Sequence, residues 1–314
     1  MPELKRYPKP GPMGGRLIRE VIAFLRETQV PSLLGSHILI GVSGGSDSMA
    51  LAHLLGRYGR RVVDRSRITL VHINHGWRGG ESDDDARFVK AWAKGQGLRI
   101  RTFRLAKTII KVSKKGESLE NAARKARKRI YGKLVAEQPG AIVLTAHHGD
   151  DLAETLLWRL FTGASQTHGG GIAVRHGNEL RPLLRVRKRM LQQYLKEEGE
   201  SWREDRTNHE GRFLRSKLRA VLMPLIESLF PKAVDHLIQA ALRAQAGVAG
   251  EVLDATGPIA TAEILFAAAG LRARRSHFEI VREGGSEVHL PGGWKLTREQ
   301  CGKKASPRWI LEKR

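Results

Sequence analysis

The chain has 314 residues, 41% hydrophobic and 28% charged, which excludes a disordered or fibrous chain and, by length, favours two domains over one core. Fifty-five Lys and Arg oppose thirty-two Asp and Glu, a formal net charge of +23. Such an excess suits a polyanion, most often nucleic acid, with a solubilising surface as the plainer alternative.

Residues 1–15 carry charges and prolines without an apolar core and read as a loose basic arm, not a secretory signal. Leu17, Ile18, Val21, Ile22 and Leu25 then share one helical face. Residues 38–42 (ILIGV) form a short buried strand, 47–58 a helix, and 68–74 (ITLVHIN) a second strand. A helix over 82–97 opens on Ser82 and three acids, which the positive end of its dipole favours. A strand at 99–105, a long basic helix at 117–137, a buried strand at 141–147 and a helix at 150–163 closed by Gly163 follow.

Strands alternating with crossover helices give an α/β fold, a parallel sheet covered by helices on both faces. A helical segment and a small C-terminal domain complete the expected plan: arm 1–15, catalytic domain 16–215, and a linker with a small domain over 216–314. No apolar run approaches the roughly 18 residues a membrane span needs. The single cysteine, Cys301, leaves no disulfide framework within one chain and fits a reducing, cytoplasmic compartment.

Ligands in such sheets bind at the carboxyl ends of the strands. Those ends carry Ser43–Ser48, residues 74–78 and residues 147–151. In the first, Gly44 and Gly45 let the backbone bend close to a ligand, and the turn runs into a helix N-terminus that suits an anion. Ser43, Ser46 and Ser48 add hydroxyls, and Asp47 can hold Mg2+ through one carboxylate. No Walker lysine follows and no G-x-G-x-x-G is present. A plain, well-capped strand–helix turn is the competing reading. In the third, His147, His148, Asp150 and Asp151 lead into a helix that brings Glu154 to the same face. A histidine there can move a proton near neutrality. Structural histidines or a dinuclear metal hydrolase are the alternatives. The basic helix over 117–137 and the block over 181–219 offer phosphate contacts, or merely solvated faces.

Ser43-Gly44-Gly45-Ser46-Asp47-Ser48 resembles the S-G-G-x-D-S loop of the ATP pyrophosphatase (PP-loop) family, and within it the tRNA(Ile)-lysidine synthetase branch. His75-Gly76-Trp77-Arg78, SLENAARKAR (118–127), TAHHGDDLAET (145–155), LRPLL (180–184) and the WREDRTN and LRSKLRAVLMPL runs match in order. The likeness covers roughly residues 16–225, with a weaker echo at SHFEIVREGGSEVHLPGGWKL (276–296), where LPGG marks a turn between strands.

The resemblance implies an enzyme that uses ATP and Mg2+ to join free L-lysine to C2 of the wobble cytidine in the CAU-anticodon isoleucine tRNA. The cytosine oxygen is first adenylated, so AMP and diphosphate are released. It implies catalytic roles for Asp47, His147 and Asp151. Nucleotide contacts would come from Ser43, Gly44, Gly45, Ser46, Asp47, Ser48, His75 and Arg78, with Asp47 the metal ligand. Lysine or tRNA contacts would come from Glu120, Arg124, Glu154, Arg212, Arg215 and Arg219. Apart from the resemblance, Arg272, Arg274 and Arg275 are expected to touch tRNA, with a solvated loop as the alternative. A homodimer is left open.

Leu152 stands where the family carries Gln, Lys128 where it carries Tyr, and Ser216 where an Asn-rich pair is common. The glycine-rich 163–177 loop is recast. The alternatives are another tRNA-modifying enzyme of the family, against which the lone Cys301 counts for the thiolase type, or a non-catalytic RNA-binding protein on the same scaffold.

Overall fold

A computed structural model describes residues 9–74, 80–105, 119–162, 171–203, 217–253, 287–290, 294–299 and 308–313. It divides into two compact units, Met1–Ala241 and Leu242–Arg314, where the sequence placed the boundary near residue 215.

Helix α1 (Pro12–Glu27) buries Leu17, Ile18, Val21, Phe24 and Leu25, the face that its apolar spacing predicts. It starts inside the stretch read as a loose arm. Pro12 presets the first turn, and the Glu197 carboxylate, 184 positions away, accepts from Met13 N at 3.1 Å through each oxygen. Gly11, the residue before the helix, has no side chain to cap it; a distant acid does so instead.

The sheet is built from β1 (Ile38–Gly41), β2 (Ile68–Asn74), β3 (Arg99–Arg104), β4 (Ile142–Leu144), β5 (Arg175–His176) and β6 (Glu179–Leu180), in the order β3-β2-β1-β4-β6-β5. All neighbours are parallel except the short β5–β6 pair. Side chains alternate between two cores, as the pleat requires. Ile38, Ile40, Val42, Ile68, Leu70 and Leu144 join α1, α2 (Ser46–Tyr58) and α3 (Gly80–Gly95) on one face. Leu39, Val71, Ile73 and Val143 meet Tyr131 and Leu134 of α4 (Leu119–Glu137) on the other.

The chain runs from β1 to β2 and β3 on one side, then returns to β4 on the other side of β1. That reversal opens a crevice at the carboxyl ends of β1 and β4, where open α/β sheets take ligands. Helix α5 (Gly149–Phe161) leaves the end of β4. Helix α6 (Lys188–Glu197) buries Leu191, Tyr194 and Leu195 against the α1 and α2 core. A π-helical turn, Leu218–Leu222, leads into α7 (Met223–Leu229) and α8 (Ala233–Leu253).

In the second unit, β7 (Glu287–Leu290), β8 (Trp294–Glu299) and β9 (Arg308–Lys313) form an antiparallel sheet in that order. Leu290 pairs with Trp294; residues 291–293, the rest of the LPGG run, lie outside the described residues. Arg272, Arg274 and Arg275 lie outside the described residues. Among the described residues no helix is long and apolar enough to cross a membrane.

Candidate functional site: a glycine loop facing an acidic helix start

The loop after β1 is held by its own serines. Ser48 Oγ accepts from Ser43 N at 3.1 Å and donates to the Gly45 carbonyl at 3.0 Å. Gly45 N donates to Ser43 Oγ at 3.3 Å, and the two hydroxyl oxygens are 3.1 Å apart. At Gly44 φ is +101°, a conformation that residues with a Cβ rarely adopt. No side chain caps α2, whose first amides, at Ser46, Asp47 and Ser48, have no intrahelical acceptor. A bent backbone with unspent N–H groups at a positive helix end is an anion cradle. His72 of β2 fixes the strand beneath it, its Nδ1 lying 2.8 Å from the Val42 carbonyl.

Across the crevice, His148 caps α5. Its Nδ1 accepts from Asp151 N at 3.4 Å while Asp151 Oδ2 accepts from His148 N at 3.2 Å, a reciprocal capping box. Its Nε2 lies 3.4 Å from both Asp47 Oδ2 and Asp151 Oδ2. One buried imidazole, 3% exposed, therefore joins the glycine loop to the acidic helix start. Burial pulls its pKa down, but Asp151, Asp47 and Asp150 outweigh burial and raise it. Asp47 is the mirror case. Burial pushes it up, but the hydrogen bond and charge of His148, the Lys188 charge and the Ser46 hydroxyl hold it below the ordinary carboxylate value. Lys188 Nζ is 3.7 Å from Asp47 Oδ2, and Ser46 Oγ donates to Oδ1 at 3.0 Å.

Asp150 is spent on structure. It accepts from Arg187 Nε at 3.0 Å and Lys188 N at 2.7 Å. The buried Arg187 also holds Asp235 at 3.0 Å and Glu227 at 2.5 Å, tying α5 to α7 and α8. Asp151 and Glu154 face Arg219, which lies in the π-helical turn. Arg219 donates to both Glu154 oxygens at 2.7 Å and to Asp151 Oδ1 at 3.0 Å. Its pKa is raised, first by the hydrogen bonds to Glu154.

His147 stands differently. Thr145 Oγ1 donates to Glu179 at 3.1 Å, so the Thr145 oxygen accepts from His147 Nδ1, also at 3.1 Å. Nδ1 then carries a proton, and in the neutral ring the lone pair lies on Nε2. Burial pushes its pKa down to about 4; Arg181 and Arg127 push the same way, against Asp151 and Glu179. Arg181 is buried, bonded at 2.7 Å to both the Ala173 carbonyl and Glu179.

The structure thus brings together Ser43 to Ser48, His147, Asp151, Glu154 and Arg219. Arg124 is exposed on α4, close enough to Arg181 to act on its charge. The Glu120 side chain, His75, Arg78, Arg212 and Arg215 lie outside the described residues. His148 was read only as one of a pair, and the bridging role is its own. Sequence reading gave no role to Thr145, Glu179, Arg181, Arg187 or Lys188; the last three lie in the basic block over 181–219, where nothing distinguishes them from solvated cations. Leu152 is fully buried, and Gly171 packs against it. Among the described residues no group of three His, Cys, Asp or Glu side chains is arranged to hold a metal ion.

A parallel sheet with an anion cradle at its switch point defines a nucleotide-binding α/β domain. The model of the PP-loop domain matches residues 17–226, and the chain belongs to that family, whose domain binds ATP. It is 36% identical over 218 residues to a tRNA(Ile)-lysidine synthase of Chlorobaculum tepidum, covering 69% of this chain and 64% of that one. It is 39% identical over 196 residues to that of Thermus thermophilus, covering 62% of this chain and 37% of the relative. With that of Bacillus subtilis it shares 33% over 204 residues, 64% of this chain and 42% of the relative. The chain therefore spans less than two thirds of the length of these curated relatives. Among solved structures, the U34-tRNA thiolase NcsA from Methanococcus maripaludis superposes with a TM-score of 0.59 at 14% identity, over 74% of this chain and 80% of that one, a likeness of fold alone.

Proposed function

We propose that the protein is a cytoplasmic tRNA(Ile)-lysidine synthetase. It joins free L-lysine to C2 of the wobble cytidine of the CAU-anticodon isoleucine tRNA, with release of AMP and diphosphate. The observation that carries this reading is the His148 bridge. It joins Asp47 of the anion cradle to Asp151, which with Glu154 already binds one cationic group, Arg219, and so supports an ammonium site across the crevice. The relatives' names and the positive charge support the RNA part.

The cytosine oxygen is a poor leaving group and AMP a good one, so the oxygen must first be adenylated. The loop amides and α2 dipole hold the diphosphate end and favour its departure. Asp47, ionised and partly exposed, would hold a Mg2+, which would supply charge neutralisation for the triphosphate. Asp151 and Glu154, which Arg219 pairs in this structure, take the lysine ε-ammonium in place of that guanidinium, and a neutral His147 accepts a proton as the amine attacks C2 and AMP leaves.

The test is incubation with ATP, Mg2+, labelled lysine and either an isoleucine or a methionine transcript bearing CAU. Incorporation with the first alone supports the reading. Binding without AMP formation would instead leave a non-catalytic RNA-binding protein.

A further inference from the structure

The glycine loop is gripped from outside by a short strap, Glu200–Arg203, which has no role in the chemistry above. Helix α6 ends with Gly199 at φ +68°, and Glu200 N donates back to the Leu195 carbonyl at 2.8 Å. This left-handed stop turns the chain towards α3. There the Glu200 carboxylate is fixed by Trp92 Nε1 at 2.7 Å, Gln96 Nε2 at 2.9 Å and His53 Nε2 at 3.3 Å. Trp202 packs on the core. At the far end Arg203 N donates to the Gly44 carbonyl at 2.9 Å. The Arg203 side chain leaves the loop and lies over Phe88, 5.3 Å from the ring centre, with Asp85 at 3.9 Å.

The Gly44–Gly45 peptide is planar and trans, so its carbonyl and its N–H point in opposite directions. Pinning the carbonyl to the strap therefore turns the Gly45 N–H away from it, towards Ser43 Oγ on the loop's own side. Gly44 offers no steric resistance to rotation of that peptide. Without an outside partner only the long 3.3 Å bond to Ser43 Oγ would hold the amide.

We propose that Arg203 is a positioning residue of the nucleotide loop. It acts through its backbone N–H, with Glu200 as the strap's anchor, and holds the Gly45 amide ready for the diphosphate of ATP. The inference rests on the nucleotide part of the proposed function and not on the lysine or tRNA parts.

The test is calorimetric titration of the full chain with α,β-methylene-ATP and Mg2+, beside tRNA binding on filters. Arg203→Pro removes the N–H and is expected to weaken analogue binding roughly tenfold, with tRNA affinity within about twofold. Arg203→Ala keeps the N–H and should lose no more than about threefold. If the proline variant does not fold, Trp92→Phe removes the indole donor to Glu200 and keeps a ring. It should weaken the analogue about two- to fivefold and again spare tRNA. Unchanged analogue affinity in the folded proline variant, or in Trp92→Phe where proline prevents folding, overturns the inference. Equal losses in the alanine and proline variants also overturn it, by moving the role to the side chain. Wild-type protein that binds the analogue but never incorporates lysine defeats the proposed function and leaves this inference standing.

Discussion

Arg219 meets Glu154 edge-on, with Nε and Nη2 each donating at 2.7 Å to a separate carboxylate oxygen. Glu154 is 4% exposed while Arg219 is 41% exposed. Removing the arginine leaves a buried charge with water reaching one side only. Arg219→Met should therefore destabilise the fold by about 1–3 kcal/mol, below the usual cost of breaking a fully buried pair. Glu154→Gln in that background should recover part of the loss. Urea denaturation of both variants checks this, and a loss under about 0.3 kcal/mol in the single variant would show that the pair is solvated.

Asp47 touches the loop, the histidine bridge and Lys188 at once, yet takes no part in the hydrophobic core. Asp47→Ala should abolish AMP formation and leave tRNA affinity within about twofold, because the basic surface that draws the polyanion is untouched. Thin-layer detection of AMP beside a filter-binding curve gives both readings. Persistent AMP release would place the metal and the chemistry elsewhere.

Two glycines separate backbone strain from crowding. A methyl on Gly44 would sit 3.4 Å from Val89, an ordinary contact, but at φ +101° it is strained wherever it points. Gly44→Ala should cost about 1–2 kcal/mol of stability and weaken ATP binding. Gly132 lies inside α4 with nothing within 4 Å of the added methyl. Gly132→Ala should stabilise by about 0.5–1 kcal/mol. Thermal melts that move both variants the same way would refute the distinction.

The parallel sheet was legible because β1, β2 and β4 are largely buried and read as short apolar runs, while the edge strand β3 shows in its alternation. The strand-end rule then found the crevice from Ser43–Ser48 and His147–Asp151 alone. Helix α6 was lost because its spacing of Leu191, Tyr194 and Leu195 lies inside a block read for charge. The β5–β6 hairpin has two residues per strand, too few to show alternation. The partners of Arg187 and Arg219 were invisible for a different reason. A guanidinium that ends on a carboxylate 65 or 37 residues away looks, in sequence, the same as one facing solvent. The cap that Glu197 places on α1 was hidden by distance in the same way.

His147 gives the molecule an acid-side signature. Its folded pKa is about 4 against an ordinary 6.5, so between those values the unfolded chain binds more protons than the native one. The stabilisation is complete above pH 6.5 and is lost as pH falls towards 4, with a slope of at most about 1.4 kcal/mol per pH unit. His148 works the other way. Its raised pKa favours the fold below 6.5 and loses that benefit as pH climbs through the folded value. The two partly offset each other in the wild type, so the difference between variants is the clean observable. His147→Gln keeps a neutral, hydrogen-bonding side chain and removes the titration. Its stability should lie closest to wild type at pH 6.5 and above, where both side chains are neutral, and rise relative to wild type as pH falls towards 4, measured by urea denaturation across that range. Parallel curves would mean that His147 is protonated as easily in the native protein as in the unfolded chain, and the neutral acceptor assigned to it would be lost.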